Sequence, residues 1–210
     1  SASSESQNYM KSMSPKVIIL GATGMLGRII YQYLLSKYKN IYGTSRKLES
    51  GFIYLNAQDT IEKLEKIFTK INPEYVINCI GILKGGNRKN LKYINSDFPK
   101  IISKIPKVHC FKIINISSDA VFGNHQREVD EDSIPMPDDE YGKSKLSGEQ
   151  KINTLNIRTS ILGFDPSEHK GLLEFLIKNK NNNCIGFVNQ KWSGTTTLQL
   201  AKFIEDLIYN

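Results

Sequence analysis

A glycine-rich turn between an apolar strand and a helix constrains the fold of this 210-residue chain more than any other segment. Residues 17–20 read Val-Ile-Ile-Leu, and glycines follow at Gly21, Gly24 and Gly27. A continuous Val/Ile run is typical of a strand that is buried on both faces of a parallel sheet. Gly21 permits a tight turn, Gly24 permits close approach of the backbone to a ligand, and Gly27 permits close helix–strand packing. The segment therefore predicts the first strand–turn–helix unit of an α/β fold.

Alternation of apolar runs and helical periodicity continues along the chain. We predict strands at residues 16–20, 41–44, 52–55, 75–79, 111–117 and 155–160. We predict helices at residues 25–37, 60–71, 90–105, 141–151, 172–178 and 197–208, with Pro99 near a boundary or kink. Such alternation predicts a Rossmann-type, doubly wound parallel sheet with helices on both faces. We divide the chain into a flexible leader or tag (1–15), a nucleotide-binding domain (16–163) and a partial substrate-binding region (164–210).

Composition excludes several classes of function. The formal charge is +7, which favours anionic ligands, but the lysines are scattered and no arginine-rich stripe predicts nucleic-acid binding. No apolar run reaches membrane-spanning length, and the polar N-terminus lacks the apolar core of a secretory signal. Cys79, Cys110 and Cys184 lie far apart, without the spacing of metal ligands. We expect a cytoplasmic protein that binds neither a metal, nor a membrane, nor nucleic acid.

The end of the second predicted strand bears on the choice of cofactor. A glycine-rich turn that opens a helix presents backbone N–H groups to the phosphates of a dinucleotide. NAD-specific sites place an acidic residue near the end of the second strand, whereas this chain has Ser45, Arg46 and Lys47 there. We therefore expect NADP(H) rather than NAD(H), with Ser45 and Arg46 at the 2′-phosphate. The alternative is that Arg46 is an ordinary exposed loop residue.

A second motif carries acid–base chemistry. Tyr141 and Lys145 stand four residues apart, on one face of a predicted helix. A lysine ammonium beside a phenol favours the phenolate and lowers a pKa that is otherwise near 10. Ser117 and Ser118 lie at the end of a predicted strand and supply a hydroxyl that can orient a carbonyl group. The alternatives are a packing tyrosine with a solvated lysine, and a strand-end serine turn without chemistry.

These motifs together resemble one superfamily. They are Gly-Ala-Thr-Gly-Met-Leu-Gly at 21–27, Ile-Ser-Ser-Asp-Ala-Val-Phe-Gly at 116–123, Tyr-Gly-Lys-Ser-Lys-Leu-Ser-Gly-Glu at 141–149 and Ile-Arg-Thr-Ser at 157–160. The combination is similar to the extended short-chain dehydrogenases/reductases, and within them to the dTDP-4-dehydrorhamnose reductase type of sugar-nucleotide reductase. The likeness implies an NADP(H)-dependent reductase of a keto group on a nucleotide-activated sugar, in surface polysaccharide or nucleotide-sugar biosynthesis. It also suggests a homodimer.

The resemblance implies a role for individual residues. Ser118 would bind the substrate carbonyl, Tyr141 would donate the proton, and Lys145 would bind the nicotinamide ribose and lower the Tyr141 pKa. The cofactor set it implies, with the residues discussed above, is Gly21, Thr23, Gly24, Met25, Leu26, Gly27, Ser45, Arg46, Asn56, Asn78, Cys79, Gly81, Asn95, Ser117, Tyr141 and Lys145. The substrate set is Ser118, Lys84, Arg158 and Trp192.

The likeness has departures, and it leaves other functions open. Asn56 stands where many relatives have an aspartate at the adenine, and Ser118 stands where threonine is usual. The chain ends at Asn210, before the further substrate-binding stretch of such proteins, so we expect a fragment or a minimal substrate lobe. Lys84 is equally compatible with a solvated loop, and Trp192 with simple packing. A nucleotide-sugar epimerase or dehydratase, and a non-catalytic NADP-binding regulatory subunit, are the alternative functions.

Overall fold

A parallel sheet forms the centre of the molecule. The computed structural model describes residues 14–83, 88–105, 110–124, 128–166, 169, 171–189 and 192–210. Within them, six parallel strands form one sheet in the order β3-β2-β1-β4-β5-β6. The strands are β1 (Val17–Leu20), β2 (Ile41–Ser45), β3 (Ile53–Tyr54), β4 (Tyr75–Asn78), β5 (Lys112–Ile116) and β6 (Thr154–Ile157). This order confirms the predicted doubly wound fold.

Helices connect the strands and cover the sheet. They are α1 (Met25–Leu35), α2 (Ile61–Ile71), α3 (Arg88–Lys92), α4 (Phe98–Lys104), α5 (Glu140–Gly148), α6 (Leu172–Lys178) and α7 (Thr197–Tyr209). Two short strands, β7 (Ile161–Leu162) and β8 (Thr195–Thr196), pair in parallel beyond β6. None of the helices in the described part of the chain has both the length and the apolar character that a membrane span requires.

The structure interrupts the helix that the sequence predicts at residues 90–105. A π-helical turn (Tyr93–Asp97) separates α3 from α4, and Pro99 lies in the first turn of α4. Because proline has no N–H, it leaves a carbonyl of the preceding turn without its helical donor, which fits the irregular hydrogen bonding of the π-helical turn. The interruption lets the backbone of Asn95 approach Gly148, where an added Cβ would overlap the Asn95 carbonyl oxygen. This close contact joins the helical segment 88–104 to α5.

The core consists of two apolar layers on opposite faces of the sheet. Val17 and Ile19 of β1 face one layer, Ile18 and Leu20 face the other, and all four side chains are fully buried. The first layer contains α1 and α7, and the second contains α2 and α4. Side chains alternate between the faces of a strand, so a strand buried on both sides must be apolar throughout. β1 therefore organises both halves of the core.

The last helix is anchored to α1 by apolar and polar contacts. Leu200, Ala201 and Ile204 of α7 belong to the same buried layer as α1. Beside them, the Glu205 carboxylate accepts hydrogen bonds from the Tyr33 hydroxyl at 2.6 Å and the Tyr38 hydroxyl at 2.7 Å. The Lys37 ammonium donates to the same carboxylate at 2.9 Å. α7 thus packs on the same apolar layer as α1, while the assignment of residues 164–210 to a substrate region stays a prediction.

Glu205→Gln tests this anchor. The amide loses the charge that strengthens three hydrogen bonds, so we expect the free energy of unfolding at pH 7 to fall by about 1–2 kcal/mol. Burial opposes ionisation of Glu205, but the donated hydrogen bonds dominate and hold its pKa below the ordinary 4.5. The ionised carboxylate therefore contributes its full stabilisation when the pH is above the ordinary pKa of 4.5. This contribution is lost as the pH falls through the lowered pKa of the folded protein.

Urea unfolding of both proteins at pH 7 and pH 3 measures the difference. Asp206→Asn removes an exposed carboxylate from the same helix and serves as the control. A Glu205→Gln protein as stable as the control at pH 7 would refute the anchor.

Candidate functional site

The glycine turn forms a cradle at the carboxyl edge of the sheet. Gly21 has a φ of +79°, which glycine adopts without strain, and its N–H donates to the Thr44 Oγ1 at 3.0 Å. An added Cβ at Gly27 would overlap the Gly21 carbonyl oxygen, so only glycine lets α1 start this close to β1. Gly24 is the exposed N-cap of α1, and no side chain caps the helix there. Binding of a phosphate group by the backbone at this terminus stays a prediction.

Other predicted residues of the turn contribute differently. Thr23 lies in the turn and is half-buried, and Met25 is the first residue of α1. The Leu26 side chain is buried in the apolar layer of α1, so only its backbone can face the cradle. Asn56, after β3, accepts a hydrogen bond from the Gln58 N–H at 3.1 Å and shapes its own loop.

The loop after β2 contains an acidic residue, Glu49, that the sequence analysis did not include. Ser45 is buried, and its hydroxyl lies 3.4 Å from the Glu49 carboxylate and accepts from the Lys47 N–H at 3.1 Å. Arg46 and Glu49 are both exposed. A cation suits a ribose 2′-phosphate and a carboxylate suits a 2′-hydroxyl, so this loop carries one candidate for each cofactor. Glu49 could have been considered from the sequence, because it lies only four residues after Ser45.

The turn after β4 lies between the sheet and α5. The Asn95 amide accepts from the Ile82 N–H at 3.0 Å and donates to the Ile82 carbonyl at 3.0 Å and to the Ser144 hydroxyl at 3.1 Å. Gly81 lies against Lys145, because an added Cβ would be 3.0 Å from the ammonium nitrogen. The structure thus brings Gly81, Asn95 and Lys145 together, as expected for one site.

Cys79 lies in the same turn. Burial raises the pKa of its thiol to about 12, and the nearby Lys145 charge opposes this only in part. The thiol is therefore neutral at pH 7, and it can line a pocket but cannot act as a nucleophile.

The side chains of Ser118 and Tyr141 come together where the 3₁₀ turn Asp119–Phe122 packs on α5. Ser118 is the N-cap of this turn, and its Oγ accepts from the Ala120 N–H at 3.2 Å. Gly142 lies on the Ala120 carbonyl, where a Cβ would overlap the oxygen. This contact places Tyr141 beside the Ser118 side chain. The predicted pair of Ser118 and Tyr141 is therefore adjacent in space, although 23 positions separate the residues in the chain.

The pKa of Tyr141 is raised, whereas the sequence analysis expected Lys145 to lower it. Burial raises the Tyr141 pKa, the hydrogen bond from Ser118 lowers it, and Asp119 and Asp139 raise it, with a net increase. Lys145 was expected to lower this pKa, but its ammonium donates instead to the Ile116 carbonyl at 2.9 Å. Burial lowers the Lys145 pKa to about 8. Tyr141 is consequently a neutral phenol at pH 7, which is the form required of a proton donor.

A half-buried ion pair of Arg158 and Glu149 lies at the strand end beside Ser118 and Tyr141. Glu149 accepts from the Arg158 guanidinium at 2.8 and 3.0 Å and from the Ser117 hydroxyl at 2.7 Å. The guanidinium also lies 5.0 Å from the centre of the Phe122 ring. Since Arg158 is engaged by Glu149, its predicted contact with substrate stays a prediction. The sequence analysis quoted Glu149 in a motif but assigned it no role.

Trp192 and Lys84 are the two further substrate candidates. The Trp192 indole N–H donates to the Ser160 hydroxyl at 2.8 Å, and about half of the side chain is exposed. Lys84 lies outside the described residues. Their roles toward a substrate stay predictions.

The fold and the site define the class of protein: a Rossmann-type protein of the extended short-chain dehydrogenase/reductase superfamily. A family model described as "RmlD substrate binding domain" matches residues 15–210, and the chain belongs to that family. A hypothetical dTDP-4-dehydrorhamnose reductase from Sulfolobus tokodaii has a similar structure, with a TM-score of 0.79 and 27% identity, over 91% of this chain and 71% of that one. A dTDP-4-dehydrorhamnose reductase from Bacillus anthracis, in complex with NADP, gives a TM-score of 0.78 and 26% identity over 94% and 72%.

Sequence comparison also finds a relative with a different name. The chain is 26% identical over 156 residues to a methionine adenosyltransferase 2 subunit beta from Xenopus tropicalis. The match covers 70% of this chain and 45% of the relative. The chain therefore spans about half the length of the curated relatives it matches.

The buried lysine gives a test of the site that needs no substrate. Lys145→Met removes a charge whose burial opposes folding, so we expect the free energy of unfolding at pH 7 to rise by about 1–2 kcal/mol. The sign follows from the pKa: it is lowered in the folded protein, so burial of the charged form is unfavourable at pH 7. Lys143→Met, which changes an exposed lysine of the same helix, should leave stability nearly unchanged. A less stable Lys145→Met protein in urea unfolding would contradict this account.

Proposed function

We propose that the protein is an NADP(H)-dependent reductase of a keto group on a nucleotide-activated sugar, similar to dTDP-4-dehydrorhamnose reductases. The single observation that carries the proposal is the proximity of the Tyr141 and Ser118 side chains, with Lys145 one helical turn further on. The glycine cradle at α1 supports binding of a dinucleotide, and the named reductases of similar structure support the substrate class. We assign residues 164–210 to substrate binding and place the reaction in nucleotide-sugar or surface polysaccharide biosynthesis.

In this proposal, Ser118 and Tyr141 act on the substrate carbonyl. Both hydroxyls donate to its oxygen, and Tyr141 releases its proton as negative charge develops there. When bound, the reduced nicotinamide supplies the hydride. The Lys145 ammonium would bind the nicotinamide ribose from beside Gly81. Glu149 acts indirectly, by holding Ser117 beside Ser118.

Tyr141→Phe tests the acid–base step. Without the phenol, we expect kcat for NADPH-dependent reduction of a 4-keto sugar nucleotide to fall at least about 100-fold, since proton transfer contributes a factor of that order. The Kd for NADPH should change little, because the ring and the fold are retained. Tyr54→Phe, on exposed β3, is the control. Full turnover by Tyr141→Phe with a verified substrate would refute the mechanism.

Arg46→Ala and Glu49→Gln test the cofactor preference. If Arg46 pairs with a 2′-phosphate, the alanine variant should bind NADPH about tenfold more weakly and NADH unchanged. Glu49→Gln should leave NADPH binding intact or improve it, because it removes a negative charge near Arg46. Lys202→Ala, an exposed lysine on α7, controls for net charge. Fluorescence titration of the wild type and the three variants with NADPH and with NADH gives the dissociation constants, and selective loss of NADH affinity in Glu49→Gln would indicate NAD(H) instead.

A second candidate function is a non-catalytic nucleotide-binding subunit. The similarity to methionine adenosyltransferase 2 subunit beta favours it. This candidate needs the cradle at α1 but gives no role to Tyr141 or Ser118. It predicts NADP(H) binding without turnover on any 4-keto sugar nucleotide, so the wild-type protein in the Tyr141→Phe assay separates the two functions.

A further inference from the structure

Three asparagines form a continuous ladder across the carboxyl edge of the sheet. Asn78, Asn115 and Asn156 occupy matching register positions on β4, β5 and β6. The Asn78 Nδ2 donates to the Asn115 Oδ1 at 2.9 Å, and the Asn115 Nδ2 donates to the Asn156 Oδ1 at 3.0 Å. Asn78 and Asn115 are buried. The ladder thus links three neighbouring strands through side chains, in addition to their backbone pairing.

Each end of the ladder is bonded to the backbone of a loop. On the β4 side, the Asn78 Oδ1 accepts from the Ile80 N–H at 3.2 Å. On the β6 side, the Asn156 Nδ2 donates to the Gln150 carbonyl at 2.7 Å. The four hydrogen bonds run in one direction, so turning any amide over would place donor against donor or acceptor against acceptor. The orientation of Asn78, and with it the anchoring of Ile80, therefore depends on Asn115 and Asn156.

The loops that the ladder connects are the two that frame the site. The turn 79–82 lies against the cradle, because an added Cβ at Gly21 would be 3.0 Å from Ile80 Cγ1. The same turn contains Gly81, beside the Lys145 ammonium. At the other end, Gln150 directly follows Glu149, which holds Ser117 and Arg158. Asn95 holds the turn from the α5 side, and the ladder holds it from the sheet side.

Stability alone does not account for the ladder. Asparagine is disfavoured in strands, and burying an amide requires loss of its hydration. Apolar side chains at these positions would bury similar area without that desolvation. Fully satisfied polar networks do, however, restrict a buried region to one arrangement.

We propose that Asn115 and Asn156 are positioning residues, which act through Asn78 to fix the turn 79–82 between the nucleotide cradle and Lys145. The part of the proposal that concerns the cofactor rests on the proposed function. The part that concerns the turn does not, because it is a property of the free protein.

Asn115→Leu tests the proposal, with Ile113→Val as its matched control. Both changes lie on β5, and both side chains face the same layer, but only the first interrupts the ladder. In the free protein, we expect hydrogen exchange of the Ile80 amide, measured by NMR, to accelerate about tenfold in Asn115→Leu and to stay unchanged in Ile113→Val. The Kd for NADPH, measured well below the Tm of each variant, should rise about tenfold in Asn115→Leu only.

Asn156→Leu provides a milder interruption if Asn115→Leu does not fold. It leaves the bond between Asn78 and Asn115 in place, so we expect acceleration of Ile80 exchange by about threefold. Unchanged Ile80 exchange in the asparagine variants, or an equal acceleration in Ile113→Val, would overturn the proposal. Accelerated exchange with an unchanged Kd for NADPH would overturn the cofactor-positioning role. Wild-type protein that binds neither NADPH nor NADH would refute the proposed function, while the exchange data would still decide the role of the ladder.

Discussion

The parallel pairing of β1, β4 and β5 is the constraint on which the rest of the structure depends. Parallel strands end at the same edge of a sheet, so the segments that follow them become neighbours regardless of their separation in the chain. The glycine cradle follows β1, the turn 79–82 follows β4, and Ser117 and Ser118 follow β5. Every residue to which we assign chemistry lies at this edge or on α5, which packs beside it.

Small residues determine how closely α5 approaches that edge. Gly142 lies on the Ala120 carbonyl, and Gly148 lies on the Asn95 carbonyl. Any side chain at either position would push α5 away, and Tyr141 and Lys145 would move with it. The two contacts lie at opposite ends of one short helix, so they fix both its distance and its direction. The precision of the site thus comes from steric contact between backbones, with hydrogen bonds such as that of Asn95 completing it.

Burial at this edge changes the chemistry of the polar groups. The Lys145 ammonium, buried beside Cys79 and Gly81, has a pKa of about 8, while Tyr141 has a pKa above its ordinary value. Desolvation disfavours the charged form in both cases, so it brings the lysine closer to neutrality and keeps the phenol protonated. Active sites commonly retain such unfavourable burial because the groups are needed for function rather than for stability.

By itself, the sequence determined the fold class and the core of the candidate site. The apolar run 17–20, the three glycines after it and the spacing of Tyr141 and Lys145 are local patterns with direct physical consequences. The same patterns predicted the boundaries of most elements to within a few residues. They did not predict the π-helical turn at 93–97, because this turn accompanies a contact with Gly148, which is distant in the sequence.

Only the tertiary structure decided which groups interact. It engaged Arg158 with Glu149, placed Glu49 beside Ser45, bonded Lys145 to the Ile116 carbonyl and aligned the three asparagines of the ladder. Each of these contacts depends on strand register or on how closely a helix approaches a loop. Hydrogen bonds between residues that are distant in the sequence produce no periodic pattern from which they could be predicted. Local pattern fixes which elements form, whereas packing between distant elements fixes what each polar side chain can do.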